Sequence, residues 1–431
     1  MNNVKEFSSS FLGEKYYKIQ HGSGLKILIC PKKRQGSYAL FATEFGSIDN
    51  TFIDENGKKI KLPDGIAHFM EHKMFDNGDG ESVDDIFSRL GADPNAFTSW
   101  EKTAYVASGT SGEQFYDALG ELIDFVLKPY FTDESVAKEQ GIIGQEIAEC
   151  EDDPYDRCFY GMIRGLYEKN PIRIDVVGST ESIAEITPEM LYECHRRFYS
   201  PSNMVFIVCG DVLVDRVLCV VDEHVKAEKI NLPVIHICQK ERIGAYKKTV
   251  VHKMAVERPI FSIGFKDSKA PEEPYARRRR QILCEILTGV IFSSSNELYN
   301  SLFKKGIMTS PFSYGEEYGR SFSLCYASGE CDDPELLQNE IRKYLKRLKK
   351  NGISREDFER RKKIIYASDV KTYDFTWDVA SALLDNAFTD VDIFEESNML
   401  ASLTIDDANA LLRELFRENN MTCSIVIPSE E

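Results

Sequence analysis

The feature that most constrains the fold is an internal repeat with an offset of 217 residues. Segment 186–208 reads ITPEMLYECHRRFYSPSNMVFIV, and segment 403–426 reads LTIDDANALLRELFRENNMTCSIV. Three identities share that offset: Thr187 with Thr404, Asn203 with Asn420, and Met204 with Met421. In both segments an apolar-patterned helix is followed by an apolar strand. Such self-similarity predicts a chain built from two duplicated lobes.

The pattern within each half predicts an α+β fold. Apolar stretches typical of strands lie near 15–21, 25–31, 37–46 and 103–108 in the first half, and near 246–254 and 258–266 in the second. Helical patterns alternate with them, so each lobe is expected to be a mostly antiparallel sheet covered by helices. A polar, proline-containing stretch at 221–243 is the predicted linker between an N-terminal lobe, 1–220, and a C-terminal lobe, 244–431.

Composition excludes several classes of partner. The chain has 431 residues and a net charge of −17, which repels nucleic-acid phosphates and anionic lipid. No apolar run approaches the roughly 18 residues that a membrane span needs. Eleven cysteines without a C-x-x-C pair or a secretory signal indicate reduced thiols and a cytoplasmic location. We therefore expect no nucleic-acid or membrane partner.

The stretch GIAHFMEHKMF, 65–75, carries the chemistry of the first lobe. A helix predicted from about Pro63 to Phe75 stacks His68 and His72 on one face, with Glu71 beside them. A catalytic zinc takes three protein ligands, and two stacked imidazoles supply two of these. Glu71 is placed to act as a general base on a water that the metal activates. A satisfied polar patch is the alternative, at about one chance in ten because the pattern is rare.

A third ligand must come from elsewhere, and spacing alone does not choose it. Residues 132–153 predict a carboxylate-rich helix with Thr132 or Asp133 as its N-cap. Glu139 and Glu146 are seven positions apart and share a face of that helix. A solvated acidic face is an equally good interpretation of these residues alone.

The order H-x-x-E-H is the signature of inverzincins. The chain resembles the pitrilysin or insulinase-type zinc metallopeptidases, in the short two-lobe form typified by mitochondrial processing peptidase. The stretches that carry the resemblance are FGSIDN (45–50), GIAHFMEHKMF (65–75), NAFTSWEKTAY (95–105) and FYSPSNMVFIVCGD (198–211). The resemblance implies a zinc endopeptidase with one Zn²⁺ per chain. Glu146, 74 positions after His72, matches the third ligand, and Glu139 matches its supporting residue.

The resemblance also implies how a substrate is held. In similar enzymes the strand equivalent to Asn95, Ala96 and Phe97 receives an extended peptide as an added β-strand, within a chamber between the lobes. An inner strand with a packed Phe97 is the equal alternative. The second lobe has no histidine after His252, so it is expected to keep the fold without the metal.

One departure from the family affects the expected activity. Members carry an arginine and a tyrosine seven positions apart in the second lobe, where Leu302 and Thr309 stand here. Such oxyanion donors are worth about 3 kcal/mol. The chain is most similar to a bacterial subgroup of paired paralogues, loosely linked with elongation factor P modification. Either Lys304, Lys305 or Tyr314 substitutes for the missing pair, or the donors come from another chain. For the second case we expect a homodimer, or a heterodimer with a paralogue that lacks the zinc motif. The alternative function is a metal-bearing, peptide-holding or scaffold subunit with little turnover.

Overall fold

The computed structural model describes residues 3–33, 36–76, 81–226, 235–237 and 240–429. The strands are β1 (Asn3–Ser9), β2 (Glu14–Gln20), β3 (Lys26–Pro31), β4 (Tyr38–Thr43), β5 (Thr51–Ile53), β6 (Lys59–Lys61), β7 (Asp93–Thr98), β8 (Thr103–Ser108), β9 (Met204–Gly210), β10 (Ile235–His236), β11 (Thr249–Met254), β12 (Ile260–Lys266), β13 (Ser313–Tyr318), β14 (Ser323–Glu330) and β15 (Met421–Pro428). The helices are α1 (Ile66–Lys73), α2 (Val83–Arg89), α3 (Glu113–Leu127), α4 (Asp133–Asp152), α5 (Pro154–Leu166), α6 (Thr180–Ile183), α7 (Pro188–Phe198), α8 (Val214–His224), α9 (Pro274–Phe292), α10 (Glu297–Lys304), α11 (Pro334–Asn351), α12 (Arg355–Thr372), α13 (Thr376–Ala387), α14 (Glu395–Ser402) and α15 (Ile405–Leu415). The fold is therefore α+β, as the sequence predicts.

The chain forms two compact units, and each is discontinuous in sequence. Unit 1 contains Met1–Ile147, Ile174–Ile237 and Asp369–Phe394, and unit 2 contains Ala148–Arg173, Cys238–Ser368 and Glu395–Glu431. This grouping differs from the predicted contiguous lobes, because a segment of each sequence half belongs to the unit built mainly from the other half. Part of the predicted linker, 227–234 and 238–239, lies outside the described residues.

Unit 1 is built on a seven-stranded sheet in the order β1-β2-β3-β9-β4-β8-β7. Neighbouring strands are antiparallel except for β3 and β9, which are parallel. Every residue of β9 is buried. One face of the sheet packs on a core that includes α3 and α8, and the other face packs on α13. Cover on both faces explains why the central strand is an unbroken apolar run rather than an alternating one.

Unit 2 repeats the inner part of that sheet. Its five strands have the order β11-β15-β12-β14-β13, with β11 and β15 parallel and the other neighbours antiparallel. This order and these directions match β3-β9-β4-β8-β7 of unit 1. Helix α5 packs on β15 and β12, and α9 packs on β13. The two units therefore share one strand order and one set of strand directions over five strands.

The predicted repeat is confirmed at the level of single hydrogen bonds. Helices α7 and α15 begin and end at positions 217 apart, and so do the short 3-10 turns that follow them. The matched threonines cap their helices: Thr187 accepts a hydrogen bond from the Met190 N–H, and Thr404 accepts one from the Asp407 N–H. The matched asparagines also act alike. Asn203 Nδ2 donates to Phe198 O at 3.0 Å, and Asn420 Nδ2 donates to Leu415 O at 2.8 Å. The repeated residues are thus those that begin each helix and turn the chain into the next strand.

The six predicted strands are all present, with ends within three residues of those expected. Strand β1, which pairs with β2 at one edge of the larger sheet, was not predicted. None of the ten cysteines in the described part of the chain forms a disulfide with another described cysteine. Within the described ranges, no helix combines the length and the apolar character needed to cross a membrane.

Candidate metal centre

Helix α1 carries both histidines of the motif. It begins at Ile66, three residues later than predicted, and it ends at Lys73. The prediction was wrong at the start because Gly65 has a φ of +86°, a left-handed conformation that cannot continue a helix. A Cβ atom at this position would lie 2.5 Å from the carbonyl oxygen of Val177, so only glycine fits. The shorter helix still stacks the ring of His68 on that of His72, with centroids 4.7 Å apart.

Helix α4 brings the third candidate ligand to the histidines. Thr132 caps this helix by accepting from the Ser135 N–H at 3.1 Å, as the sequence predicts. Oε1 of Glu146 lies 3.5 Å from Nε2 of His68, and its Oε2 lies 3.6 Å from Nε2 of His72. Among the described residues, this is the one group of three metal-ligating side chains whose ligand atoms converge.

The spacing of these atoms leaves room for a metal ion. Both separations exceed the 2.7–3.2 Å of an ordinary hydrogen bond to nitrogen. When each residue offers one ligand atom, the three atoms lie within 4.8 Å of one another. Ligands about 2.0–2.1 Å from a tetrahedral zinc are separated from one another by roughly 3.4 Å, so small side-chain movements would bring the three into that arrangement. Two imidazoles and a carboxylate are also a donor set that zinc accepts. His68, His72 and Glu146 therefore fit a zinc ion.

Glu139 supports His72 from behind. Its Oε1 lies 3.0 Å from Nδ1 of His72, and this hydrogen bond raises the pKa of the histidine. Lys73, which is almost fully buried, places its Nζ 4.0 Å from the other carboxylate oxygen of Glu139. Because Nδ1 donates to Glu139, the lone pair of the neutral ring is on Nε2, the nitrogen that faces Glu146.

The pKa of His68 moves in the opposite direction. Burial, followed by the charge of His72, lowers its pKa to about 4. A neutral imidazole is the form that binds a metal. Its Nδ1 is buried and finds no hydrogen-bond partner in the part of the chain that the structure describes. Only His72 therefore has its tautomer set by a neighbouring carboxylate.

Glu71 lies on α1 between the two histidines. Its Oε2 accepts a hydrogen bond of 2.6 Å from the Thr98 hydroxyl at the end of β7. Burial raises the pKa of Glu71, and the hydrogen bond from Thr98 opposes that shift. A carboxyl group whose pKa is raised toward neutrality suits acid-base work. Thr98 was missed by the sequence analysis, because its contact with Glu71 depends on a strand register that no local pattern reveals.

Strand β7 lies at an edge of the unit 1 sheet and contains the predicted substrate residues. Asn95 and Phe97 are exposed, and Ala96 between them packs against the core. β8 lies on one side of this strand, and the sheet has no further strand beyond it within the described residues. Phe97 is 39% exposed, so the alternative of an inner strand with a packed Phe97 is wrong. Peptide binding along this strand stays a prediction.

In unit 2, a buried apolar residue and an exposed threonine occupy the two positions at which the family carries arginine and tyrosine. Leu302 is fully buried on α10. Thr309 is exposed and accepts a hydrogen bond of 3.1 Å from Nη1 of Arg258. Arg258, which lies some 50 positions earlier in the chain, brings a guanidinium group to this place and was not predicted from the sequence.

At the offset of the sequence repeat, the second half of the chain carries other residues than those of the motif. Adding 217 to the positions of His68, Glu71 and His72 gives Glu285, Thr288 and Gly289, all on α9. The same offset from Glu146 gives Lys363 on α12. None of these belongs to a converging set of three metal-ligating side chains in the described ranges.

A reversed zinc motif on one helix, a carboxylate from a second helix and two duplicated α+β units define the class of inverted-motif metallopeptidases. Comparison with known families agrees: residues 61–178 match the insulinase family (peptidase family M16), and residues 185–365 match the peptidase M16 inactive domain. The chain is 34% identical to the uncharacterized zinc protease YmfH of Bacillus subtilis, with 99% of each protein covered. It therefore belongs to peptidase family M16.

Two further proteins extend this comparison. The uncharacterized zinc protease YmxG of Bacillus subtilis is 26% identical, over 86% of this chain and 91% of that protein. A crystal structure of an M16-like peptidase from Alicyclobacillus acidocaldarius has a TM-score of 0.92 and 30% identity, over 98% of this chain and 100% of that one. The fold seen here is thus that of the family over nearly its whole length.

Proposed function

We propose that the chain is a zinc-dependent endopeptidase. The observation that carries this proposal is the convergence of two Nε2 atoms on the two oxygens of Glu146, at 3.5 and 3.6 Å. A half-buried glutamate, Glu71, lies on the same helix as the two histidines. His68, His72 and Glu146 would hold one zinc ion per chain. Three protein ligands leave one position open, as in catalytic rather than structural sites. When bound, zinc polarises a carbonyl and lowers the pKa of water.

Glu71 supplies the proton chemistry in this proposal. Its carboxylate takes a proton from the attacking water and then gives it to the amine that leaves when the peptide bond breaks. One proton is taken and one is returned, so the residue ends the cycle as it began. Its half-buried position limits the access of bulk water to that proton.

The exposed edge of β7 is where the substrate would lie. An added strand forms main-chain hydrogen bonds to β7, and the exposed side chains of Asn95 and Phe97 meet alternate residues of the peptide. Only an extended segment can pair in this way. We therefore expect cleavage of peptides and unfolded segments, with folded proteins spared.

The test uses the purified, zinc-loaded chain with a library of quenched fluorescent peptides. Glu71→Gln keeps the size of the side chain and removes its base, so hydrolysis should fall by at least about 100-fold while bound zinc stays at the wild-type level. Glu149→Gln, which makes the same change at an exposed position of α4, is the matched control and should cleave normally. Equal hydrolysis by wild type and Glu71→Gln would contradict the proposal.

A second candidate is a metal-bearing subunit that holds peptides with little turnover. It is favoured by the buried Leu302 and the exposed Thr309 at the family's arginine and tyrosine positions, and by the match of residues 185–365 to a domain named inactive. Under this function the zinc-loaded wild type binds peptides without cutting them. Fluorescence anisotropy with a labelled peptide, beside the cleavage assay, separates the two candidates.

We also propose that the working assembly is a dimer, either of two copies or with a paralogue that lacks the zinc motif. A partner chain would supply the oxyanion donors that Leu302 and Thr309 do not. Light scattering gives the mass of the chain alone, and adding the paralogue should then raise the cleavage rate. A reducing, cytoplasmic location is part of this proposal, and it is supported by the lack of a disulfide among the described cysteines.

A further inference from the structure

We propose that Thr98 is a positioning residue for Glu71, and that the strand proposed to receive the peptide thereby also sets the orientation of the general base. The inference rests on the proposed function. It starts from the hydrogen bond of 2.6 Å between the Thr98 hydroxyl and Oε2 of Glu71, which joins β7 to α1. A residue of this kind acts through Glu71 and does not itself touch the reacting atoms.

The direction of this hydrogen bond follows from counting protons. Each threonine hydroxyl has one proton to donate. Thr103 donates its proton to the backbone oxygen of Phe45 at 2.9 Å, although its own Oγ1 lies only 3.3 Å from Oγ1 of Thr98. Thr103 can therefore only accept in that contact, and the one proton of Thr98 goes to the charged oxygen of Glu71 at 2.6 Å rather than to Thr103 at 3.3 Å. This donation favours the ionised carboxylate, the form that accepts a proton from water.

The position of the Thr98 hydroxyl is set by the sheet rather than by a flexible loop. Thr98 is the last residue of β7 and pairs with Thr103, the first residue of β8. Its side chain shares a face with that of Ala96, which packs on the unit 1 core. A glutamate side chain has three rotatable bonds, and a donor held by the sheet restricts them. A peptide added to β7 then pairs with the same strand that orients Glu71.

Unit 2 shows that the fold does not need this contact. The strand pairing that begins at Met421 runs through Phe265 and Cys325 to Glu316, as the pairing that begins at Met204 runs through Thr43 and Thr103 to Thr98. Glu316 therefore stands where unit 1 has Thr98. The unit without a convergent ligand set thus lacks the threonine hydroxyl, which ties the contact to the chemistry rather than to the sheet.

The experiment compares three variants of the full-length, zinc-loaded chain. Thr98→Val removes the donor and keeps the shape and strand preference of the side chain. Thr98→Ser keeps the donor. Ser99→Ala is the matched control, because Ser99 donates to the Lys102 carbonyl in the adjacent turn and does not contact Glu71. For each variant, kcat, KM and the zinc dissociation constant are measured, and the crystal structure of Thr98→Val is determined.

A hydrogen bond to a charged group predicts a loss of kcat of roughly 10- to 100-fold in Thr98→Val. KM and zinc affinity should change less than about threefold, and Thr98→Ser and Ser99→Ala should stay close to wild type. A normal kcat in Thr98→Val, or a serine variant as impaired as the valine variant, overturns the inference.

The crystal structure separates this inference from the proposed function. In Thr98→Val the Glu71 carboxylate should leave its wild-type position, whether or not the wild type cleaves peptides. An unmoved carboxylate overturns the positioning role. A moved carboxylate in a chain that cuts no peptide at any pH contradicts the endopeptidase function instead.

Discussion

Oε1 of Glu139 lies 3.0 Å from Nδ1 of His72, and the two residues are brought together from different helices, α4 and α1. The contact fixes which nitrogen of the imidazole carries the proton. Outer carboxylates of this kind typically account for 10- to 100-fold in metal affinity. Glu139 is thus expected to act on the metal through His72.

Replacing Glu139 by alanine should weaken zinc binding by roughly 10- to 100-fold, because His72 loses the acceptor that orients its ring. Competition with a chromogenic chelator measures this affinity directly. Glu149→Ala on the same helix, at an exposed position, is the control and should bind zinc as the wild type does. Unchanged affinity in Glu139→Ala would show that the hydrogen bond does not support the site.

Much of this arrangement could be predicted from local sequence. The stacking of His68 over His72 follows from a spacing of four on any helix, and the shared face of Glu139 and Glu146 follows from a spacing of seven. The repeat at 217 was also visible, because the same threonine cap and asparagine side-chain bond are needed at both helix ends. These features depend on contacts within a few residues of one another in the chain.

Features set by distant contacts could not be predicted. The apolar faces of α5 and α13 indicate that each helix packs on a sheet, but they do not indicate which sheet. For this reason the sequence did not predict that 148–173 belongs to unit 2 and 369–394 to unit 1. The choice of Glu146 likewise needed the resemblance to a family. Thr98 and Arg258 act across long loops or strand pairings, and only the three-dimensional structure brings them to Glu71 and Thr309.

Removing the metal should destabilise unit 1 selectively. A ligand that binds only the folded state adds about 4 kcal/mol at a thousand times its dissociation constant. His68, His72 and Glu146 all belong to unit 1, so a chelator should lower the unfolding temperature of the transition that belongs to this unit. Differential scanning calorimetry with and without chelator measures the effect. Glu146→Gln should respond far less, and an equal response from it would place the metal elsewhere.

Stability should also fall as pH rises, because of a buried carboxyl group in unit 2. Burial, followed by the charge of Glu285, raises the pKa of Glu316 from 4.5 to about 8. Between these two values the folded chain keeps a proton that the unfolded chain has released. The contribution of Glu316 is therefore fully present below about pH 4.5 and is lost as pH rises toward 8.

Denaturant unfolding of wild type and Glu316→Gln, between pH 5 and 9, measures this contribution. Glutamine cannot ionise, so the difference in unfolding free energy between the variant and the wild type should grow in favour of the variant as pH rises. A difference that stays constant over this range would show that Glu316 is ionised in the folded chain throughout.

The start of α1 gives a stability test that bears directly on the metal centre. Gly65 has a φ of +86°, and an added Cβ would lie 2.5 Å from the Val177 carbonyl oxygen and 2.9 Å from Cα of Gly178. Gly65→Ala therefore combines a left-handed backbone, which costs about 1–3 kcal/mol for a residue with a side chain, with a clash against backbone that cannot rotate away. Gly57→Ala is the matched control, because Gly57 has a φ of +76° and open space around it.

We expect Gly65→Ala to be the less stable variant in denaturant unfolding. It should also bind zinc more weakly, because the added methyl group displaces the first turn of α1, which carries His68. Equal stability of the two variants would mean that the chain at 177–178 yields to the added methyl group, and that the approach of this segment does not hold α1 in place.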